Sequence, residues 1–369
     1  MSINDYLSAM VNDDVVLVKK SSIPRLKLTE QVIFDCDGVL VDCRNSYDVT
    51  IKDVVNHFFK PISSGDQLIS DIEIEKMRYT GLYNNEWDSS FALILYIFGQ
   101  LSKNQASSII SGLQVKQHTR TSKVIDNGTL LLSFDKFVKG LKNDPIKDAM
   151  KYAENSCMSN GTLMELGLLV KLIGLPNKPM ESYLVSLFDS IYYGRELYNK
   201  VYCRTSILNR EKGLIENEKV MINEKELKAF RDLVRSPFLL LTGRSRVGTE
   251  HVLGNLTNYF DINSSIFIED VLRKDYNSGV KMKKPSATPL LKIANKLMTL
   301  YVGDSSEDVL MAGIARQSSP RISFAGVTGL HEEPNSMVQF FLSSQADIIV
   351  RSVVDLVKTY SLIIEDGIR

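Results

Sequence analysis

The sequence predicts an α/β protein whose parallel sheet is interrupted in the chain by a long helical insertion. Short runs that are apolar up to a terminal acid, such as the strand predicted at residues 32–35, are typical of strands buried on both faces of a sheet. After residue 228 such runs alternate with helical patterns, which indicates βαβ units and a parallel sheet. Between residues 46 and 227 apolar residues recur three and four positions apart, the spacing of amphipathic helices. The chain has 369 residues, more than one core usually holds, so two folded units are expected.

Composition excludes several classes of protein. Hydrophobic residues make up 44% and charged residues 24%, as in an ordinary soluble globular protein. Lys plus Arg equals Asp plus Glu, at 44 each, so neither nucleic acid nor an anionic membrane is an expected partner. No apolar run reaches the length of a membrane span, and the N-terminus lacks the apolar region of a signal peptide. The four cysteines have no metal-ligand spacing and are expected to be reduced, so the expected location is the cytoplasm.

Two segments of the chain are expected to lie outside the α/β core, an N-terminal extension and the insertion. Residues 1–30 are expected to pack on the core as an extension, with a helix and a short strand at "DVVLVKK". The insertion is expected to cover residues 46–227 and to be all-helical, with "FALILYIF" (91–98) as a buried helix. Its helices are predicted at "SYDVTIKDVVNHFF", "SSFALILYIFGQL", "GTLLLSFDKFVKGL" and "MESYLVSLFDSIYYGRELYNKVY".

The α/β core is expected to consist of residues 31–45 and 228–369. A helix at "NEKELKAFRDLVR" with Asn223 as its N-cap precedes the alternating strands and helices of the second core segment. Further helices are predicted at "RVGTEHVLGNL", at 288–297 and after the strand in "LYVGDSSEDVLMAGIA". Strands are predicted at 237–244, 264–270, "RISFAGV" and "ADIIV".

Three of the predicted strands end in polar residues with related chemistry. Asp35 and Asp37 follow the first strand, Thr242 follows "LLL", and Asp304 and Asp308 follow "YVG". Ligands of parallel sheets bind at the carboxyl ends of the strands, so these side chains converge if the three strands are parallel neighbours. In addition, Lys284 lies just before a predicted helix and can reach the same edge.

This set of side chains is suited to phosphoryl transfer. Carboxylates that share a pocket repel each other unless a cation neutralises them, and oxygen ligands beside a phosphate favour Mg²⁺. Lys284 supplies positive charge, and the Thr242 hydroxyl supplies a hydrogen bond to phosphoryl oxygens. One carboxylate can attack phosphorus, and a second can protonate the leaving oxygen and later deprotonate water.

These residues carry a resemblance to a known family. "DCDGVLVD", "LLLTGR", the Lys284–Pro285 pair and "GDSSED" resemble, in order, the four motifs of the haloacid dehalogenase (HAD) superfamily. The resemblance implies a Rossmann-like three-layer core, with Asp35 as nucleophile and Asp37 as general acid/base. The helical insertion after the first motif resembles the C1 cap of subfamily I, although it is longer than the common C1 cap.

The resemblance also implies the binding roles. Thr242 and Lys284 are expected to hold the phosphoryl group, and Asp35, Asp37, Asp304 and Asp308 the metal, with Asp37 binding through its main-chain carbonyl. Gly243 and Arg244, which follow Thr242 in the same turn, are further expected contacts of the substrate. Lys283 is a rival for Lys284, but the family pairs its lysine with proline. Two interpretations of Arg244 remain open: a contact with the phosphate or with an acid of the insertion, and an ion pair at the surface. Asp42 is interpreted as structural, and Cys36 is expected to point away from the aspartates because side chains alternate along a strand.

One stretch of the insertion, "TGLYNNEWDSS" (80–90), contains the only tryptophan. With "YYGRELY" and "GLIENE" it is similar to a small group of HAD phosphatase-like proteins of uncharacterised substrate. Asn85 and Trp87 are therefore expected to contact substrate from a polar specificity loop. The alternative is a helix N-terminus capped by Asp88 or Ser89. Arg195 is interpreted as an exposed helix arginine.

The expected function is a Mg²⁺-dependent phosphatase, a hydrolase that acts on a small phosphorylated metabolite through an aspartyl-phosphate. A carboxylate at position 37 favours phosphate ester hydrolysis over dehalogenation or phosphonate cleavage. One alternative is a phosphomutase of the β-phosphoglucomutase type, and another is a non-catalytic phospholigand-binding protein with the same fold. The protein is expected to be a monomer or a homodimer.

Overall fold

The chain folds into two compact units. A computed structural model describes residues 3–62, 67–115, 127–234, 236–271, 282–331 and 333–368. The first unit comprises Met1–Cys43 and Glu218–Arg369, and the second comprises Arg44–Asn217. Within the described residues, no helix combines the length and the apolarity that a bilayer crossing requires.

The first unit contains a seven-stranded sheet. Its strands are β1 Tyr6–Val11, β2 Asp14–Lys19, β3 Gln31–Phe34, β6 Leu239–Leu240, β7 Thr299–Gly303, β8 Ile322–Val327 and β9 Ile348–Val350. They lie in the order β1-β2-β9-β8-β7-β3-β6. From β9 to β6 all neighbouring strands are parallel, whereas the hairpin β1–β2 adds antiparallel strands at the β9 edge. The helix expected near the N-terminus is replaced by β1, because Asn12 and Asp13 adopt positive φ and form the tight turn of a hairpin.

A smaller ribbon marks the place where the chain leaves and re-enters the first unit. β4 (Val41–Asp42) pairs antiparallel with β5 (Lys219–Val220). Residues 218–227, assigned from sequence to the insertion, therefore lie in the first unit, since this stretch forms β5 and the start of the helix Glu224–Val234.

Helices cover both faces of the sheet and form a three-layer α/β arrangement. The helices of the first unit are Ile23–Leu26, Glu224–Val234, Arg246–Leu253, Thr288–Ala294, Ser306–Ser318, Pro334–Ser343 and Val353–Ile364. Alternation along β3 places Phe34 in an apolar cluster with Phe230 and Tyr360 on one face, and Ile33 in a second cluster with Tyr301 on the other. The predicted fold class, a parallel-dominated α/β core with a helical insertion, is confirmed.

The register of the sheet brings three strand ends to one edge. Phe34 of β3 is aligned with Leu240 of β6 and with Val302 of β7. The strand predicted at 264–270 is reduced to a single bridge from Ile266 to Leu241. It ends there because the Asp270 carboxylate accepts a hydrogen bond from the Phe267 N–H and turns the chain.

The second unit is helical throughout its described part. Its helices are Arg44–Phe59, Asp71–Arg78, Glu86–Phe98, Lys103–Val115, Asn127–Gly140, Pro145–Asn160, Leu163–Ile173 and Tyr183–Tyr202. The helix Glu86–Phe98 is buried at every residue from Asp88 onward, as predicted for 91–98. Between residues 44 and 217 the described residues form no strand, which agrees with the periodicity of the sequence.

Candidate active site

Three acids meet at the carboxyl edge of the sheet. Asp35, Asp304 and Asp308 each offer a carboxylate oxygen, and these oxygens lie within 4.8 Å of one another. Asp35 directly follows β3, and its N–H donates to the Val302 carbonyl at 2.8 Å, which fixes the loop against β7. Asp304 directly follows β7, and Asp308 lies in the first turn of the helix Ser306–Ser318.

Lys284 is the cation of this cluster. Its Nζ lies 2.9 Å from Asp35 Oδ2 and 2.7 Å from Asp308 Oδ1. Burial disfavours the charged ammonium, but Asp308 and Asp35 outweigh this effect and raise the pKa of Lys284 well above its usual value. The ammonium is therefore a fixed positive charge beside Asp35.

Asp308 is held by donors on both of its oxygens. The Tyr301 hydroxyl donates to Oδ1 at 2.5 Å, and the Ser305 N–H and hydroxyl donate to Oδ2 at 3.1 and 2.6 Å. Burial opposes ionisation of Asp308, but Lys284 and these hydroxyl donors together lower its pKa below the usual value. Asp308 is thus an ionised carboxylate in one fixed orientation.

Asp35 and Asp304 lack sufficient positive charge from the described side chains. Burial raises the pKa of Asp35 to about 7, with Lys284 opposing the shift and Asp308 adding to it. Burial and the neighbouring acids Asp308 and Asp35 raise the pKa of Asp304 well above its usual value. A divalent cation would offset this repulsion, and three clustered carboxylates are suitable ligands for a hard ion. The cluster therefore fits a Mg²⁺ site.

Gly38 leaves the space that Asp304 occupies. Its φ is +74°, and a Cβ at this position would lie 1.8 Å from Asp304 Oδ2. Any other residue would both strain the backbone and displace this carboxylate. The glycine after the two aspartates is thus required by the packing of the site.

The Asp37 side chain is not one of the three clustered acids and binds Arg244 instead. Its Oδ1 accepts a hydrogen bond from Arg244 Nε at 2.8 Å. The Arg244 side chain is fully buried, so this contact is not the surface ion pair that the sequence left open. The predicted contact of Asp37 with a metal is made by its main-chain carbonyl, so the binding of its side chain to Arg244 does not test that prediction.

The Thr-Gly turn after β6 lies at the same edge of the sheet. Thr242 is buried, and its hydroxyl oxygen accepts a hydrogen bond from the Arg244 N–H at 3.2 Å. Gly243 is exposed, and a Cβ there would meet no atom within 4 Å. Four motif segments, which carry Asp35, Thr242, Lys284 and Asp304, are therefore gathered at one edge of the first unit.

Asn85 and Trp87 belong to the second unit and have partners there. The Asn85 side chain accepts from the Asp88 N–H at 3.1 Å, so Asn85 caps the helix Glu86–Phe98 instead of Asp88 or Ser89. The Trp87 Nε1–H donates to Asp189 Oδ1 at 3.1 Å. Their contact with a substrate stays a prediction.

Several contacts near the site were not predicted from the sequence. Ser305 and Asp308 form a capping box, a pattern that the sequence displays, whereas the Tyr301 contact follows from strand alternation. Glu218, the last residue of the stretch "GLIENE", binds Arg244, and His331 Nε2 lies 2.9 Å from the Asp304 carbonyl oxygen. Neither contact was predicted, because both residues are distant from their partners in the chain.

Cys36, which separates the two aspartates in the chain, packs into an apolar cluster as expected. Burial raises the pKa of its thiol well above the usual value. A protonated, enclosed thiol is a poor nucleophile, so Cys36 is not a candidate for nucleophilic chemistry at this site.

Comparison with known proteins gives structural likenesses only. No family model and no curated protein matches this chain. An X-ray structure solved by the Northeast Structural Genomics Consortium aligns with a TM-score of 0.63 and 18% identity, over 91% of this chain and 99% of the other. Phosphatase Tt82 from Thermococcus thioreducens aligns with a TM-score of 0.46 and 17% identity, over 85% and 99%. A putative β-phosphoglucomutase from Thermotoga maritima aligns with a TM-score of 0.39 and 14% identity, over 90% and 98%.

The last two likenesses are too weak to support an assignment, and the first concerns the fold alone. The stronger observations are the three-layer core, the helical insertion after β4 and the four motif segments at one sheet edge. Together they agree with the resemblance of the sequence, and the chain has the fold of the haloacid dehalogenase superfamily.

Proposed function

We propose that this protein is a Mg²⁺-dependent phosphatase that hydrolyses a small phosphorylated metabolite through an aspartyl-phosphate on Asp35. The observation that carries the proposal is the position of the Asp35 carboxylate. It is buried at the sheet edge, bound by Lys284 at 2.9 Å, and clustered with Asp304 and Asp308. The positive charge of Lys284 reduces the repulsion between this carboxylate and the negative phosphoryl group that it attacks.

In the first step, a carboxylate oxygen of Asp35 attacks phosphorus. A bond forms between this oxygen and phosphorus, and the bond from phosphorus to the ester oxygen breaks. Asp37 donates its proton to the departing ester oxygen, so the product leaves as an alcohol. Asp37 suits this role because its carboxylate is not one of the three clustered acids, is held by Arg244 through Oδ1 and is partly exposed.

In the second step, water replaces Asp35 on phosphorus. Asp37, now ionised, takes a proton from the water while the oxygen of that water bonds to phosphorus. The bond between phosphorus and Asp35 breaks, which regenerates the carboxylate and releases inorganic phosphate. Atoms and charges balance over the two steps, with Asp35 and Asp37 restored.

The remaining residues bind and orient the phosphoryl group. Lys284 places its ammonium beside Asp35, and the Thr242 hydroxyl with the N–H of the exposed residue Gly243 would offer hydrogen bonds to phosphoryl oxygens. Mg²⁺ held by Asp35, Asp304 and Asp308 would supply positive charge that offsets the negative charge of the phosphoryl oxygens.

The substrate class rests on the resemblance of the insertion to a C1 cap. Such caps accompany small substrates, so a small phosphorylated metabolite is favoured over a folded protein or a polymer. Asn85 and Trp87 are the proposed contacts of the insertion with this substrate, and the cytoplasm is the proposed location.

Phosphate release from a panel of sugar and alkyl phosphates, with Mg²⁺ or with a chelator, tests this function. The wild-type protein is expected to release phosphate only with Mg²⁺, and Asp35→Asn is expected to be inactive but folded. Asp232→Asn, which alters an exposed carboxylate of the helix Glu224–Val234, is the matched control and is expected to stay active. Isomerisation of a sugar phosphate without phosphate release would identify a phosphomutase, and no turnover of any ester would contradict both enzymes.

A further inference from the structure

Arg244 is a buried cation with a buried partner. Both side chains, Arg244 and Glu218, are fully inaccessible to solvent. Arg244 Nη1 lies 2.7 Å from Glu218 Oε2, and Nη2 lies 3.0 Å from Oε1, which makes the pair bidentate. A bidentate pair fixes the plane of the guanidinium as well as its position.

The other side of the same guanidinium holds Asp37. Nε lies 2.8 Å and Nη2 2.5 Å from Asp37 Oδ1, while the Asp37 side chain remains 28% exposed. Since both contacts are made to Oδ1, Oδ2 is the oxygen left to exchange a proton with a substrate. Because two donors of one guanidinium hold Oδ1, the position of Arg244 restrains the carboxylate that carries Oδ2.

The backbone of Glu218 is anchored to the loop that carries Asp37. Glu218 directly precedes β5, which pairs with β4. The Gly38 N–H donates to the Val41 carbonyl at 2.9 Å, and the Met221 N–H donates to the Leu40 carbonyl at 2.8 Å. The ribbon β4–β5 and the loop after β3 therefore form one hydrogen-bonded assembly, with Glu218 at its end.

We propose that Glu218 is a positioning residue for the proton transfers of the site: it orients Arg244, which in turn presents Asp37 to the leaving oxygen. The inference rests on the proposed function, because it assigns Glu218 to the general acid of that reaction. It goes beyond the four motifs, since Glu218 lies in none of them and enters the first unit from the end of the insertion.

A purely structural role for Glu218 makes a different prediction. A buried guanidinium needs an anionic partner, and loss of this partner destabilises a protein whatever reaction it catalyses. In that case kcat/KM would fall by the same factor for every substrate. If Glu218 positions the general acid, the loss depends on how much the leaving group needs a proton.

The experiment compares two leaving groups. An alkyl phosphate must be protonated as it leaves, whereas p-nitrophenolate leaves readily as an anion. The value of kcat/KM reports the steps up to departure of the leaving group, so it isolates the donation of the proton from the later attack of water. Glu218→Gln is the test variant, and Glu250→Gln, in the helix Arg246–Leu253, is a control that removes an exposed charge.

For Glu218→Gln, kcat/KM for the alkyl phosphate is expected to fall about tenfold or more, within the range that general acids contribute. The value for p-nitrophenyl phosphate is expected to change less than about threefold, and Asp37→Asn is expected to show the same pattern more strongly. Glu250→Gln is expected to match the wild type on both esters.

The double variant Glu218→Met with Arg244→Met removes both buried charges, so it is expected to fold even if a single variant does not. The double variant should show the same selective fall in kcat/KM for the alkyl phosphate. In a protein that already carries Arg244→Met, the additional change Glu218→Gln should cause no further fall. Equal losses on both esters, or no loss on either, would overturn the role of Glu218. A wild-type protein without esterase activity would instead overturn the proposed function.

Discussion

Replacement of Gly38 by alanine tests whether the packing around Asp304 builds the metal site. An alanine Cβ would lie 1.8 Å from Asp304 Oδ2, whereas real Cβ contacts are essentially never shorter than 3.0 Å. The carboxylate must therefore retreat by about 1.2 Å, and the backbone must also keep a φ of +74° that disfavours a side chain. Mg²⁺ requires near-ideal octahedral geometry, so a shift of this size removes Asp304 as a ligand.

The expected result for Gly38→Ala is a loss of Mg²⁺ affinity of about tenfold to a hundredfold, the range seen when the support of a metal ligand is altered. Isothermal titration with Mg²⁺ measures this affinity, and p-nitrophenyl phosphate hydrolysis at fixed Mg²⁺ measures the consequence for turnover. Circular dichroism shows whether the variant is folded.

Gly243→Ala is the matched control, because its Cβ would meet no atom within 4 Å although it also lies at the site. Wild-type Mg²⁺ affinity is expected for this variant. A Gly38→Ala protein that binds Mg²⁺ as tightly as the wild type would refute the argument from packing.

Three further predictions concern single side chains. Lys284→Met is expected to lower kcat on p-nitrophenyl phosphate by about a hundredfold or more, and Lys283→Met to leave it nearly unchanged; the reverse result would assign the role to Lys283. Because burial raises the pKa of Asp189 to about 7 from 3.8, the folded state loses stability as pH rises through this range. Above pH 7 the free energy of unfolding of Asp189→Asn, measured by urea titration, is thus expected to exceed that of the wild type by up to about 4 kcal/mol, whereas near pH 4 the two should be similar. A difference that does not change with pH would contradict this. Asp347→Ala leaves two arginines without their buried acceptor and is expected to lower the free energy of unfolding by about 3 kcal/mol, measured in the same assay; an unchanged value would show that the pairs contribute nothing.

The acids of the site were predictable because a parallel sheet has a simple rule. Asp35, Thr242 and Asp304 each follow an apolar strand, and the carboxyl ends of neighbouring parallel strands share one edge. Each segment carries its own signal for a strand that ends in a polar residue, whereas the pairing of the three strands as parallel neighbours had to be assumed. Lys284 was recognisable from the proline beside it in the family motif.

The direction of the Asp37 side chain was not predictable in this way. It depends on Arg244, which lies 207 positions away in the chain, and on Glu218, which arrives with β5. The burial of Arg244 likewise has no local signature. A residue whose partners all come from distant segments is visible only once the segments are packed.

The extent of a short strand is also difficult to predict from the pattern of apolar residues. Residues 264–270 are apolar enough for a strand, but the side chain of Asp270 turns the chain after the bridge at Ile266. In contrast, the hairpin of β1 and β2 had a signal in Asn12 and Asp13, two residues suited to the positive φ of a tight turn.

The most direct test of the account is to trap the phosphoryl group on its acceptor. Asp37→Asn slows the attack of water, so this variant is mixed with p-nitrophenyl phosphate and Mg²⁺, quenched in acid, and treated with borohydride, which reduces an acyl phosphate to an alcohol. Peptide mass spectrometry is expected to find the reduced side chain at Asp35 and at no other carboxylate. Steady release of phosphate with Asp35 unmodified, or reduction at a different residue, would contradict the assignment of Asp35 as the nucleophile.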